Sequence, residues 1–311
     1  MADAVVRGLI EDLARDRSSG AAELARQGAA VLIALAESSE ATELDSFVQQ
    51  VAETGGLLIR AQPSMAPLFN LVNSVLWGLE HARNLVDARQ RVSQAAEDFN
   101  HELVSAGEKI AAEALQVILP GTTLLTHSRS STVLGALLHV RSAGTDFGVV
   151  CTESRPLYEG RTLAEELSRA GIPTTLVTDA EIGLVMERVG VVVVGADAVS
   201  LKGMVNKTGT YGLALVARAH GRPFHSLCGT QKFLPEQYPY FDIERKDPVE
   251  VWPAHPPEVN VLNYYFDLTP LQYVTSLVTE EGPLQADKLE ERLAGLRIHE
   301  ALLGAGEIER P

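Results

Sequence analysis

Apolar positions in the first 118 residues recur every three or four residues, the spacing typical of amphipathic helices. Val6, Leu9, Ile10 and Leu13 form the first stripe of this kind. The predicted helices cover residues 6–13, a segment from 18 to about 35, residues 41–53 and residues 87–118. We therefore predict that this part of the chain is helical. The last helix carries a narrow apolar seam that suits packing along another helix.

Beyond Pro120 the pattern changes to short, β-branched apolar runs that alternate with helical stretches. The predicted strands are residues 122–126, 147–152, 174–178, 189–194 and 223–227, and the predicted helices between them are 132–141, 161–170, 180–188 and 209–220. Strands and helices that alternate at this spacing form βαβ units around a buried parallel sheet. The fold class is therefore α/β, with a helical domain at 1–118 and a parallel-sheet domain at 119–311. A final helix is predicted near 285–303.

Composition narrows the classes of function. The chain has 311 residues, of which 46% are apolar, and its net charge is −15. Direct nucleic-acid binding is not expected, because it needs a basic face. Cys151 and Cys228 are too few for a disulfide framework, and no CxxC pair suggests a metal site. With no basic leader and no apolar run of about 18 residues, we expect a cytoplasmic protein that does not associate with membranes.

Polar side chains follow the predicted strands at the point where each strand ends. His127 to Ser131 follow the first strand, Arg155 comes shortly after the second, and Asp197 follows the four valines of a later one. The carboxyl ends of parallel strands meet at one edge of a sheet, so these groups are expected to form a ligand site. His127 has two interpretations, as part of a catalytic pair or as a hydrogen-bonded structural residue.

The segment Asn206-Lys207-Thr208-Gly209-Thr210 has the parts of an anion-binding helix start. It offers backbone N–H groups, a lysine charge, hydroxyls and a permissive glycine. The sequence contains no GxGxxG, GxxxxGK[ST] or HExxH motif, so it predicts no dinucleotide, Walker-type or zinc-protease site. We expect neither a cofactor nor a metal.

Several segments of the second half resemble one superfamily. They are GTTLLTHSRSSTVL, VVCTESRPLYEGRTLAEELSRAGIPTTLVTDAEIGLVM, VVVVGADAVSLKGMVNKTGTYGLALVARAHGRPF and GTQKF, with looser similarity in DRSSGAAELARQGA and AQPSMAPLFN. The superfamily joins the α, β and δ subunits of translation initiation factor 2B with ribose-1,5-bisphosphate isomerase and methylthioribose-1-phosphate isomerase. This resemblance implies an N-terminal helical domain followed by a Rossmann-like domain.

The resemblance also implies a site for a phosphorylated sugar. The residues that it places near the phosphate and sugar are Arg17, Gly20, Ser130, Ser131, Thr132, Arg155, Asn206, Lys207 and Lys232. In the isomerases a cysteine and an aspartate form an acid/base pair. The aspartate is present here as Asp197, whereas Ser128 stands in place of the cysteine. Gln62 stands where the bisphosphate isomerases carry a phosphate-binding arginine.

Three functions are compatible with these residues. The first is an initiation-factor-2B-like regulatory protein with a pocket for a phosphorylated sugar or a nucleotide such as AMP. The second is an aldose–ketose isomerase of a ribose-1-phosphate derivative that uses Asp197 and Ser128. The third is an assembly scaffold with a vestigial pocket. Since the superfamily forms dimers or larger rings, the resemblance implies at least a homodimer.

Overall fold

The computed structural model describes residues 2–238 and 243–303, and its chain forms two compact units. The helical unit consists of residues 1–105, 231–242 and 293–311, and the sheet unit consists of residues 106–230 and 243–292. These units are discontinuous in sequence. The contiguous division into domains 1–118 and 119–311 stays a prediction.

Five α-helices precede the first strand in the described residues, and their buried faces up to residue 105 form the core of the helical unit. They are α1 Ala2–Arg15, α2 Ala21–Ser38, α3 Leu44–Ala61, α4 Ala66–Leu79 and α5 Leu85–Glu113, the last of which belongs to the helical unit up to residue 105. The four helices predicted from periodicity are present, and α3 extends further than predicted. The helix α4 was missed because its sequence, APLFNLVNSVLWGL, is apolar on most faces and lacks the amphipathic repeat.

The second part of the chain alternates strands and helices as predicted. Its elements are β1 Thr123–Thr126, α6 Ser131–Ser142, β2 Gly148–Thr152, α7 Glu159–Arg169, β3 Thr174–Val177, α8 Ile182–Val185, β4 Val191–Val194, β5 Ala198–Ser200, β6 Gly203–Lys207, α9 Thr210–Ala219, β7 Phe224–Leu227, β8 Phe266–Thr269, β9 Ser276–Thr279, β10 Gly282–Leu284, α10 Ala286–Ala294 and α11 Glu300–Leu303. The predicted final helix is thus two short helices, of which α11 belongs to the helical unit.

Seven strands form the main sheet in the order β10-β9-β7-β4-β1-β2-β3, and all pairs except β10 with β9 are parallel. All five predicted strands lie in this sheet, which confirms the α/β fold class. The four valines of β4 are buried because the strand is covered on both faces. Leu124 and Val149 face each other in the register of β1 and β2, and both belong to the apolar core of the sheet unit.

A second sheet of three antiparallel strands, β5-β6-β8, follows β4 and was not predicted. It corrects the expectation that Asn206 and Lys207 open a helix. Both residues end the strand β6, and α9 begins only at Thr210, with Gly209 at its N-cap. The strands β5 and β6 are three and five residues long, and every one of those residues is buried. Their apolar and polar positions therefore show no alternation that would predict a strand.

Among the described residues, no helix is both long enough and apolar enough to cross a membrane.

Candidate functional site

The strands β1 and β4 are neighbours in the main sheet, and the chain leaves them toward opposite sides. From β1 it proceeds through α6 to β2, whereas β7 and β9 lie beyond β4. Open parallel sheets bind ligands outside the carboxyl ends of their strands at such a switch point. Ser128 and Ser130 follow β1 and Asp197 follows β4, so all three come to this edge of the sheet.

Gly195, directly after β4, lies close to the N-terminus of α6. A Cβ atom at this position would lie 2.6 Å from the Ser130 Oγ and 4.0 Å from the Asn206 Oδ1. Ser130 is the N-cap of α6, where its Oγ accepts a hydrogen bond from the Val133 N–H at 3.3 Å. The first turn of a helix carries N–H groups without intrahelical partners and a partial positive charge. Ser131 is exposed and Thr132 is partly buried in this turn, which can therefore hold an anion.

Ser128 adopts a left-handed backbone conformation, with φ of 66°, and its N–H donates to the Ser154 Oγ at 2.7 Å. Ser154 is also left-handed, with φ of 63°. Asp179, which follows β3, accepts hydrogen bonds from the N–H groups of Ser154 at 2.8 Å and Arg155 at 2.7 Å. This arrangement ties together the loops after β1, β2 and β3. Left-handed conformations cost energy in residues other than glycine, so these bonds hold the Ser128 loop in one shape.

His127 is buried and uses both ring nitrogens structurally. Its Nε2 lies 2.8 Å from the Thr208 carbonyl oxygen, which only accepts, so the proton resides on Nε2. Its Nδ1 lies 2.5 Å from the Thr152 Oγ1, from which it accepts. Burial lowers the pKa of His127 and favours this neutral form. Of the two interpretations of His127, the structure therefore supports the structural one, and the ring has no free nitrogen to activate Ser128.

Asn206 and Lys207 differ in what they present to the switch point. The Asn206 Nδ2 donates to the Thr210 Oγ1 at 2.9 Å, while its Oδ1 is directed toward Gly195. The Lys207 ammonium forms a buried ion pair with Glu159 and lies 4.9 Å from the centroid of the Tyr265 ring. The second carboxylate oxygen of Glu159 is buried without a hydrogen-bond partner among the described residues. Lys207 is thus committed to a neighbour within the sheet unit.

The guanidinium of Arg155 is anchored by its own unit. It donates to the Tyr158 hydroxyl at 2.5 Å and to the Val251 carbonyl at 2.8 Å, and it lies 5.0 Å from the centroid of the Tyr158 ring. These contacts place Arg155 between the loop after β2 and the irregular segment before β8. Its expected role in ligand binding stays a prediction.

Three predicted ligand residues belong to the helical unit, and their roles also stay predictions. Arg17 is exposed before α2, and Gly20 is the N-cap of that helix. Lys232 is buried, and its segment is held by Asn70, whose Nδ2 donates to the Gln231 and Phe233 carbonyls at 2.6 and 2.9 Å.

Gln62, which replaces the expected arginine, is likewise engaged in the helical unit. Its Nε2 donates to the carbonyl oxygens of Leu13 and Asp16 at 3.1 and 3.0 Å. The amide thus secures the C-terminal end of α1, a task that requires no positive charge.

Three residues that shape this region were not singled out from the sequence. Gly195 matters through its missing side chain, and Glu159 pairs with a lysine far away in the chain. Asp267 on β8 accepts hydrogen bonds from the N–H groups of Gly209 and Tyr211 at 2.7 and 3.2 Å, which caps α9. Burial raises the pKa of Asp267 to about 6. None of these three features can be recognised from the local sequence, because each depends on contacts between distant parts of the chain.

Comparison with known proteins places this geometry in a family. Residues 17–286 match the initiation factor 2 subunit family. A ribose 1,5-bisphosphate isomerase from Methanocaldococcus jannaschii is 31% identical over 89% of this chain and 91% of its own. The crystal structure of translation initiation factor eIF-2B from Pyrococcus horikoshii superimposes with a TM-score of 0.80 at 31% identity, covering 91% of this chain and 98% of that one.

A chain of the tetrameric eIF2B-beta2-delta2 complex from C. thermophilum superimposes with a TM-score of 0.73 at 25% identity, covering 95% of this chain and 94% of that one. The family match over residues 17–286 spans the helices α2 to α5 and the whole main sheet. The chain belongs to the initiation factor 2 subunit family.

Proposed function

We propose that this protein binds a phosphorylated sugar or nucleotide at the switch point between β1 and β4 and acts as an initiation-factor-2B-like regulatory protein. The hydrogen bonds of His127 to Thr152 and Thr208 favour binding over catalysis. A serine hydroxyl needs an adjacent base to match a cysteine thiolate. Since both nitrogens of His127 are occupied by Thr152 and Thr208, that histidine is not available as the base for Ser128.

The groups around Gly195 favour a phosphorylated ligand. The first turn of α6 offers N–H groups and the hydroxyls of Ser131 and Thr132, and the absence of a side chain at Gly195 lets the end of β4 pack directly against the N-cap Ser130. Asn206 adds an amide oxygen suited to a sugar hydroxyl. In a chain of net charge −15, a phosphate must be held by such local donors, because the overall field repels it.

A second candidate function is supported by Asp197. The carboxylate follows β4 at the edge where Ser128 follows β1, so the two residues of the acid/base pair implied by the superfamily are adjacent in the topology. In an aldose–ketose isomerase, Asp197 would move a proton between two sugar carbons. Ser128 would then have to act without the His127 ring.

One experiment separates these functions. The purified protein is incubated with ribose-1,5-bisphosphate, methylthioribose-1-phosphate, 5-deoxyribose-1-phosphate and AMP, and both its melting temperature and product formation by NMR are followed. Stabilisation by at least one compound without turnover supports the regulatory function. Conversion of any sugar supports the isomerase, and the absence of both effects contradicts a phosphate site at the switch point.

We also propose that the protein forms a homodimer or larger homo-oligomer, in keeping with the tetrameric complex among its structural neighbours. Light scattering coupled to size exclusion tests this directly, and a monomer of 33.5 kDa at micromolar concentration would contradict it.

A further inference from the structure

A pocket of about 410 Å³ opens at the end of the main sheet opposite the switch point. Its walls come from the end of α9, the turn before β7 and the segment before β9, and they include Arg218, Gly221, Arg222, Gln272, Tyr273 and Thr275. The strands β7 and β9 are parallel, and both enter the sheet here. The pocket therefore lies at their amino ends, whereas Ser128 and Asp197 lie at the carboxyl ends of β1 and β4.

The charge of this region is opposite to that of the whole protein. Arg218 and Arg222 line the pocket, and no acidic residue is among its described lining residues, in a chain of net charge −15. Such a concave, positively charged patch attracts small anions.

The donors of Arg222 are incompletely used. Its Nη2 donates to the Glu187 carbonyl at 3.1 Å, whereas its Nε is buried and has no acceptor among the described residues. Because this Nε is shielded from solvent, an anion in the pocket would contact the guanidinium through its Nη groups. A guanidinium presents neighbouring N–H groups that match two oxygens of a phosphate.

Arg218 also lines the pocket, and its guanidinium rests on an aromatic ring. Its Cζ lies 5.1 Å from the centroid of the Tyr273 ring, so the aromatic face supports the charge while the N–H groups at the guanidinium edge remain geometrically suited to bind. The Thr275 Oγ1 is occupied, because it accepts from the Phe224 N–H at 2.9 Å. The exposed Gln272 supplies an amide at the rim.

We propose that this pocket, which we call the Arg218–Arg222 pocket, is a second anion site that binds a phosphate or pyrophosphate group of a small metabolite. The anion is held by the guanidinium groups of Arg218 and Arg222, which both line the pocket. Because the pocket is at the opposite edge of the sheet, its ligand is separate from the one at the switch point and does not depend on it.

Basic residues at a helix C-terminus also stabilise the helix dipole, and Arg218 is in the last turn of α9. If the two arginines have only a structural role, their substitution lowers the stability of the phosphate-free protein, and the wild-type pocket binds no anion. The experiment must therefore observe the arginines directly.

Titration of ¹⁵N-labelled protein with inorganic pyrophosphate, followed through the arginine Nε–Hε signals, provides this observation. We expect a saturable shift of the Arg222 signal, absent when sodium chloride is added to the same ionic strength. Calorimetry should show about tenfold weaker binding for each guanidinium removed, in Arg218→Gln and Arg222→Gln.

Arg188→Gln is the matched control, since Arg188 is a nearby arginine outside the pocket lining, and its affinity should equal that of the wild type. Asn206→Ala should likewise leave pyrophosphate binding at the pocket unchanged, which separates this site from the switch point. An Arg222 signal that stays fixed in wild-type protein, or affinities that are the same in Arg222→Gln and wild type, would overturn the proposal. The wild-type titration keeps the test decisive even if Arg222→Gln fails to fold.

Discussion

Lys207 and Glu159 form a buried ion pair that joins the end of β6 to the first turn of α7. Their side chains are only 7% and 16% exposed, and the rings of Tyr265 and Phe266 lie beside the ammonium at 4.9 and 5.7 Å. Removing one partner of such a pair leaves a buried charge uncompensated, which costs more than losing both charges together. The pair therefore links the predicted ligand lysine to the stability of the sheet unit.

We expect Lys207→Met to lower the free energy of unfolding by about 3–5 kcal/mol, because it leaves the Glu159 carboxylate buried without its cation. The double variant Lys207→Met/Glu159→Gln should recover much of this loss. Urea denaturation measures both. Glu165→Gln is the matched control, since its pair with Arg169 is 67% and 73% exposed and should change stability by less than about 1 kcal/mol. A double variant no more stable than Lys207→Met would contradict the assignment.

The same residues test whether Lys207 also binds ligand phosphate. Lys207→Ala should weaken binding of the most stabilising of the four phosphate compounds by about 1.5–3 kcal/mol, the range for a hydrogen bond to a charged group. Glu159→Gln decides the cause, because it keeps the ammonium and removes its competitor. If Lys207 contacts the phosphate directly, Glu159→Gln should bind the ligand as tightly as the wild type or more tightly. If calorimetry shows the same weakening in Lys207→Ala and Glu159→Gln, the phosphate lies elsewhere.

The main sheet was predictable because burial on both faces leaves a strong signal. The valines of β4 and the apolar runs of β1 and β2 are short and contain β-branched residues, which favours buried central strands. The parallel order then brings Ser128 and Asp197 to one edge without further information.

The surroundings of the site could not be predicted in this way. The strand β6 reads GMVNK, in which a buried asparagine and lysine interrupt the apolar pattern, so Asn206 and Lys207 were assigned to the following helix. The carboxylate that compensates the buried Lys207 charge is that of Glu159, and this pairing depends on the tertiary packing of α7 near β6. Local sequence carries information about periodicity and caps, but not about which distant charge will compensate a buried one.

Two buried histidines contribute a loss of stability in acid, whereas Asp267, whose pKa is raised to about 6, contributes in the opposite direction. Burial lowers the pKa values of His127 and His225 below their ordinary value of 6.5. Unfolding then takes up protons below that pH, so the stabilising contribution of each neutral ring is present above about 6.5 and is lost as the pH falls. Each residue contributes a slope of at most about 1.4 kcal/mol per pH unit.

Urea denaturation between pH 7.5 and 5 measures this slope. His127→Gln and His225→Gln should each remove part of it, and the double variant should remove both parts. His220→Gln, at an exposed histidine, is the control for the substitution itself. A slope that is identical in wild type and in the double variant would assign the acid sensitivity to other groups.

Gly195→Ala tests the close packing of β4 against the N-terminus of α6. The added Cβ would come within 2.6 Å of the Ser130 Oγ and 2.7 Å of its Cβ, so the N-cap must shift. We expect a loss of about 1–3 kcal/mol in stability, as for overpacking, and loss of the thermal shift produced by the phosphate compounds.

In the control variant Gly135→Ala, within α6, nothing lies within 4 Å of the new methyl group. That control should be stabilised by roughly 0.5–1 kcal/mol and should bind normally. Normal binding by Gly195→Ala would show that the phosphate does not approach this glycine.

The chemistry at position 128 separates the two candidate functions most sharply. If the wild-type protein binds without turnover, Ser128→Cys should create isomerase activity, because a thiol ionises near neutral pH where a hydroxyl does not. Ser128→Ala is the matched control, and it should retain binding without gaining activity.

If the wild type already converts a sugar, Asp197→Asn should abolish turnover and keep binding, since the amide preserves the shape but not the proton transfer. Both outcomes are measured by NMR of the sugar carbons alongside calorimetry. An active wild-type protein whose rate is unchanged by Asp197→Asn would show that another group moves the proton.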